Sequence, residues 1–350
     1  MATYHLSEAA VEKLLRPREG FAPVLLSASA GAVWLDEPDA KACLAALSGP
    51  RSPANLKGFF LPAAESVARY GAEGGGAATA VETAVATTVL LGVRACELRA
   101  KGYLDAVLAD GPFADPTYRR RCRSTLLVSC DCVACADSCC CTLVGGQPFA
   151  TGGYDLNVTA LDDGLLVDVA SEAGEKWFGE PKAIGAEPAL PEHAARRDKQ
   201  REATGKRLAE QNAAFTFRAV GAKPAPLPDD ADAAWQRFAA DCVECGACTN
   251  ICPTCHCFYL YDQVLGAERF ERLRNWDSCL LGSYHRMAGG AHMKLTPRPQ
   301  LRSRLANRVL HKFTYSPQQY GRLGCVGCGR CIDACLGAID IRQVVQELER

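Results

Sequence analysis

The sequence predicts a protein in two parts, a mixed α/β (α+β) N-terminal domain followed by a largely helical one. Three observations lead there. Apolar runs of strand length alternate with helical patterns in the first half, a proline-rich break falls at residues 222–230, and beyond it strand signals are scarce while cysteines cluster.

In chain order, residues 21–26, 81–93 and 125–128 are continuous apolar runs that read as buried strands, with helical patterns between them. Residues 156–170 alternate on either side of Asp162-Asp163-Gly164, a turn sequence that favours positive φ, and predict a hairpin. Residues 71–77 are glycine-rich but lack the G-x-G-x-x-G spacing of a phosphate-cradling loop, so they predict a flexible surface loop. Residues 192–211 are charged and rich in helix formers. Three prolines within residues 222–230 then mark a linker, dividing the chain into 1–221, 222–230 and 231–350. Residues 231–240, 265–281, 299–313 and 340–348 complete the second part as helices.

A net charge of -1 with 48% apolar and 23% charged residues gives no global pull toward nucleic acid or anionic membrane. Residues 1–20 carry charges throughout, and no stretch of 18 consecutive apolar residues occurs, which predicts a cytoplasmic protein with no membrane insertion. The chain holds 20 cysteines among 350 residues. Disulfide-dense proteins are small, secreted and short of core, so in a chain of this length the cysteines point to metal ligation.

The strongest pattern is Cys242-x-x-Cys245-x-x-Cys248-x-x-x-Cys252-Pro253, repeated as Cys325-x-x-Cys328-x-x-Cys331-x-x-x-Cys335. Three thiolates on one tight loop wrap three irons of a cubane, and the fourth, displaced beyond the loop, serves the other cluster. Crossed ligation of two [4Fe-4S] clusters follows: Cys242, Cys245, Cys248 and Cys335 on one, Cys325, Cys328, Cys331 and Cys252 on the other. Structural zinc sites pair separated C-x2-C knuckles instead. The 72 residues between the runs exceed what a minimal two-cluster ferredoxin uses and read as helix, which predicts an alpha-helical ferredoxin-like domain. Cys255, Cys257 and Cys279 lie close enough in sequence to replace a ligand, or are buried free thiols beside the clusters. The second run lacks the proline that often follows the fourth ligand. Arg298, Arg302, Arg304, Arg308 and Lys312 recur before it, placing positive charge where it would raise a cluster's potential.

Further residues carry a resemblance to one family. Trp276-Asp277-Ser278-Cys279, Ala288-Gly289-Gly290, His311-Lys312-Phe313 and Cys325-Val326-Gly327-Cys328-Gly329-Arg330-Cys331 resemble the beta subunit of cytoplasmic sulfhydrogenases and its counterpart in anaerobic sulfite reductase. So do residues 92–98, Asp115-Pro116-Thr117-Tyr118-Arg119-Arg120, Cys139-Cys140-Cys141-Thr142 and Gly153-Tyr154-Asp155-Leu156. The likeness runs from about Gly92 to the C-terminus and departs at Ala95 and Cys140, where that family tends to have proline and phenylalanine. It implies an electron carrier placed between two other subunits. One is a flavin-containing NAD(P)H-linked or ferredoxin-linked oxidoreductase; the other is a terminal catalytic subunit of hydrogenase, sulfite reductase or heterodisulfide-reductase type.

The first half has its own thiols: Cys96, Cys122, Cys130, Cys132, Cys135, Cys139, Cys140 and Cys141. Cys96 and Cys130 follow strand-like runs, and loops at strand ends gather ligands in α/β sheets. Alternate residues point at one site more readily than neighbours do, so Cys96, Cys130, Cys139 and Cys141 are the expected ligands of a third iron–sulfur cluster, with zinc or free thiols as the alternatives. The basic run Arg119-Arg120-Arg121-Cys122-Arg123 could dock an acidic partner or a flavin phosphate, although such runs are usually solvated faces. The histidines at 5, 193, 256, 285, 292 and 311 form no i, i+4 metal pair.

No serine nucleophile elbow, P-loop lysine or paired carboxylates stand out, so the sequence predicts an electron-transfer subunit with no substrate chemistry of its own. Two other readings stay open. One is a reductase in its own right, with substrate at the N-terminal cysteines; the other is a scaffold whose clusters are structural.

Overall fold

The structure is a computed structural model that describes residues 2–16, 18–36, 39–71, 86–111, 113–217, 232–266, 269–284, 286–287 and 296–349. Most of residues 71–77 and the expected linker at 222–230 therefore lie outside the described residues. So do residues 81–85, the Ala288-Gly289-Gly290 motif, His285 and His292.

The first half is built on an eight-stranded sheet. Its strands are β1 (Ala2–Leu6), β2 (Phe21–Ser27), β3 (Gly31–Trp34), β5 (Thr87–Val93), β6 (Thr125–Cys130), β7 (Leu156–Leu161), β8 (Gly164–Val169) and β9 (Glu187–Pro188), ordered β3-β2-β5-β6-β7-β8-β1-β9. The central run β2, β5, β6, β7 is parallel. Parallel strands are buried on both faces, which is why their sequences are unbroken apolar runs. Alternate residues divide between two cores. Leu25, Val89, Leu91, Leu126 and Val128 face one, against the helices Glu8–Leu15 and Ala40–Ser48. Val24, Leu26, Leu90, Val93 and Leu127 face the other, against the helix Ala95–Leu108 and its neighbour Pro116–Arg123. The predicted hairpin is β7–β8, with Leu161 opposite Gly164.

Residues 265–281 read as helix in the sequence, but the described residues among them, 265–266 and 269–281, are not helical. The chain forms β10 (Phe258–Gly266) and β11 (Arg269–Trp276), and β11 pairs in turn with β4 (Ala64–Gly71) from the first half. The apolar spacing of Leu265, Phe270 and Leu273 suits a helix, but the tertiary pairing overrides it. Arg274 stands opposite Glu65 in the ladder and pairs with its carboxylate, and with Asp115, in a buried network. The strand-like signal is the aromatic run Phe258-Tyr259-Leu260-Tyr261. The C-terminal part is thus helices plus a hairpin. Its core joins Trp235 of the helix Asp232–Ala240, Val309 and Leu310 of Leu301–Leu310, and Val344 and Val345 of Ile341–Leu348. Leu301–Leu310 runs on into a π-helical turn, His311–Tyr315, a wide geometry frequent at functional sites, and this turn buries Lys312.

Candidate metal centre

The two cysteine runs fold alike. In each a residue with positive φ (Glu244, Gly327) precedes the second cysteine, and a glycine with positive φ (Gly246, Gly329) follows it and starts a short helix. The ends of the runs are tied crosswise. Gly337, two residues past Cys335, packs so closely on the Asp241 carbonyl that a Cβ would overlap it. Thr254, two residues past Cys252, donates to the Gly324 carbonyl at 2.6 Å.

Two cavities result. One is lined by Cys242, Cys245, Cys248 and Cys335 together with Leu280, Leu305 and Val309. The other is lined by Cys252, Cys325, Cys328 and Cys331 together with Cys140 and Lys312. Cys331 borders both, so the sites adjoin. Among the described residues no three cysteine sulfurs lie within 4.8 Å of one another. A tetrahedral zinc site would need sulfurs about 3.8 Å apart, so this wider spacing suits a cluster.

Charge supports the same occupant. Arg308 and Lys312 are buried, and their hydrogen bonds go to carbonyls, a hydroxyl and sulfur: Arg308 Nη2 to Cys248 O at 3.3 Å, Lys312 Nζ to Cys252 Sγ at 3.2 Å and to Thr254 Oγ1 at 3.1 Å. Arg308 Nε has no partner, and among the described residues no carboxylate pairs with either cation. Burial opposes both charges, but the surrounding cysteines, Cys248 and Cys331 for Arg308 and Cys252 and Cys255 for Lys312, outweigh it and raise both pKa values. Buried cations need such counter-charge, and thiolate-bound clusters supply it.

The first half packs against the second run. Gly327 sits against Cys140 and Cys141, where a Cβ would clash, and Cys140 N–H donates to the Gly327 carbonyl at 2.8 Å. Arg330, between Cys328 and Cys331, is fully buried and pairs with Glu97 at 2.8 Å, while its Nε donates to Ser52 O at 3.0 Å. Glu97 also caps the helix that carries Cys96, accepting from Arg94 N–H at 3.0 Å. Cys96 packs with Cys328 in a small apolar cluster.

Of the four N-terminal thiols that the sequence points to, Cys139 and Cys141 lie together, with Cys132 facing both and hydrogen-bonded to Cys135. Cys130 instead points into the core beside Leu126 and Val128, its Sγ donating to Leu47 O at 3.3 Å. Strand alternation carries that signal, since residues 126, 128 and 130 share a face. Cys122 lies apart from this group, near Asp105. Of the basic run, Arg121 pairs with Glu65.

Two thiol pairs lie beyond the first run. Cys252 is hydrogen-bonded to Cys255, and Cys257 to Cys279. In each pair one thiol is lowered and its partner raised: Cys257 falls to about 6, through the hydrogen bond from Cys279 and a further one from Tyr284, while Cys279 rises. His256 and His311 are both pulled down by burial, His311 to about 4. Elsewhere, His5, His193 and Asp163 bring ligand atoms within 4.8 Å, but Arg196 holds both Asp163 oxygens.

The 4Fe-4S dicluster domain family matches residues 241–339, the span that holds both cavities. Fold and site together define an iron–sulfur electron-transfer subunit with two [4Fe-4S] clusters in its C-terminal third. The chain belongs to the sulfhydrogenase beta-subunit family. Sulfhydrogenase 2 subunit beta of Pyrococcus furiosus is 31% identical over 265 residues, which are 74% of this chain and 73% of that one. No solved structure matches. Among the described residues no helix is long and apolar enough to cross a membrane.

Proposed function

We propose that the chain relays electrons within a cytoplasmic anaerobic oxidoreductase complex. It would take them from a flavin/NAD(P)H-linked or ferredoxin-linked subunit, passing them to a terminal catalytic subunit of hydrogenase, sulfite reductase or heterodisulfide-reductase type, or run the reverse course. The observation that carries this is the pair of adjoining cysteine-lined cavities with a shared wall at Cys331. Their linings support the crossed assignment, Cys242, Cys245, Cys248 and Cys335 on one cluster and Cys325, Cys328, Cys331 and Cys252 on the other. Exposure supports a direction: Cys245 is exposed, whereas Cys328 is buried against the first half, so exchange with a partner takes place at the Cys245 edge.

The third cluster is retained as part of this reading. The proximity of Cys139 and Cys141 supports them as ligands, and Cys132 now competes with Cys130 and Cys135 with Cys96 for the remaining positions. The boundary at 222–230 is likewise retained as a division of sequence.

Reconstitution tests the relay. Purified alone, the chain should accept electrons from dithionite-reduced viologen and turn over neither sulfite nor a disulfide, and Cys328→Ala should abolish electron flow in the complex. Turnover by the isolated chain would establish the reductase reading; intact complex activity in Cys328→Ala would establish the structural one.

A further inference from the structure

Once the two ferredoxin-spaced quartets are set aside, three cysteines of the C-terminal third have no role: Cys255, Cys257 and Cys279. The fold brings Cys257 to Cys279, and Lys57 faces both Cys255 and Cys257. Cys255 and Cys257 lie in the segment leaving the first run, and Cys279 follows β11. The β10–β11 hairpin folds the chain back between them, so that Asp277 N–H donates to the Cys257 carbonyl at 2.9 Å. Cys257 touches the Cys279 thiol and the Tyr284 hydroxyl, and Cys255 lies against Cys252.

A second, independent feature points at the same place. Lys57 comes from the first half, is 2% exposed, and aims its ammonium at Cys255, Cys252 and Cys257. Its Nζ donates to Asn250 O at 3.0 Å and stands 3.8 Å from the Trp276 ring centre. Among the described residues no carboxylate pairs with it. An ammonium buried among thiols, a carbonyl and an indole face demands a negative body beside it. Cys252, on the crossed assignment proposed above, already belongs to the second cluster, and Lys312 serves it at 3.2 Å. Burial pulls the Lys57 ammonium toward its neutral form, and the thiols it faces besides Cys252, namely Cys255 and Cys257, oppose that.

We propose that Cys255, Cys257 and Cys279 ligate a further iron–sulfur cluster with three cysteine ligands. Three thiolates fit a three-iron cluster, or a four-iron cluster with one iron free of cysteine. Zinc is disfavoured because no three of these sulfurs lie within 4.8 Å of one another. Resting on Cys252 through Cys255, the site adjoins the second cluster and extends the relay toward the β10–β11 hairpin, whose outer strand β10 is exposed along its whole length.

The test uses anaerobically purified full-length chain. Cys257→Ser/Cys279→Ser should lose about three or four irons per chain relative to wild type, with the electron paramagnetic resonance of the two reduced ferredoxin-type clusters unchanged. Unchanged iron overturns the proposal. Loss of one of the two ferredoxin-type signals also overturns it, and shows that Cys257 or Cys279 is a ligand of the dicluster, which would sink the crossed assignment too. If the variant does not fold, native mass spectrometry of the Cys139→Ser/Cys141→Ser chain decides: a cluster beyond the two of the dicluster supports the site, and two clusters alone overturn it. Oxidised wild type tells the forms apart, since a three-iron cluster is then paramagnetic and a four-iron cluster silent.

Discussion

Lys312→Met should lower the reduction potential of one cluster and leave the other nearly untouched. Lys312 is buried with its ammonium 3.2 Å from Cys252 Sγ, and among the described residues it has no carboxylate partner. An electron added to the second cluster is spread over its irons and sulfides, so an effective separation of about 6 Å in a medium of effective dielectric about 20 gives roughly 2–3 kcal/mol of attraction. For a one-electron couple that is about 100 mV, and Lys312→Met removes it. Methionine keeps the volume without the charge, so the cavity should still fill. Lys312→Arg keeps the charge and should stay within about 30 mV of wild type if the Coulomb argument holds. Anaerobic redox titration, with the reduced clusters followed by electron paramagnetic resonance, reads both midpoints. A shift below about 20 mV would refute the electrostatic reasoning. An equal shift in both clusters would refute the placement of Cys252 on only one.

Three further outcomes are expected. Glu97→Ala strands the buried Arg330 guanidinium without its counter-charge and should cost about 3–5 kcal/mol, read as a lower denaturation midpoint of the anaerobic holoprotein; Glu97→Met/Arg330→Met should recover most of it, and a single variant as stable as wild type would contradict the pairing. Gly327→Ala places a Cβ against Cys140 and forces a side chain into positive φ, so it should destabilise by at least about 1–3 kcal/mol and impair loading of the second cluster, measured by iron content. His311 is held neutral in the fold, down at about 4, against an unfolded value of about 6.5. A depressed folded pKa gives stability that is present in full above the unfolded pKa and is lost as pH falls toward the folded one, so the denaturation midpoint should drop between those values, and His311→Phe should flatten that drop.

The parts of the site that are legible in the sequence are those fixed by local spacing. Each cysteine run is a self-contained loop, and its four thiols and the glycine after the second of them fall at the same offsets twice, so the repeat alone announces two cavities. The parallel strands are legible because burial on both faces leaves only apolar residues. What escapes depends on distant pairing. Residues 265–281 have a helix-like apolar spacing, and only β4, about two hundred residues earlier, makes them strands. Lys57 sits in an unremarkable Lys57-Gly58-Phe59-Phe60 segment, and nothing local foretells that it faces cysteines on the far side of the linker. Cys130 reads as a ligand because it ends a strand, yet the alternation of that same strand turns its thiol into the core.

The second sheet has a consequence for how the protein is made. β4 emerges early in synthesis, yet its partner β11 follows only after about two hundred further residues. Contacts closed across so long a stretch form slowly, and until they form β4 is an open edge. Lys57 lies just ahead of β4 and Glu97 shortly after β5, so the same delay leaves the cations and carboxylate of the cluster region unmatched. Maturation must therefore be a late, whole-chain event: a fragment beginning at residue 232 would carry both cysteine runs yet lack the strand that seats their hairpin, and iron delivered to it would meet ligands that are present but not yet held in place.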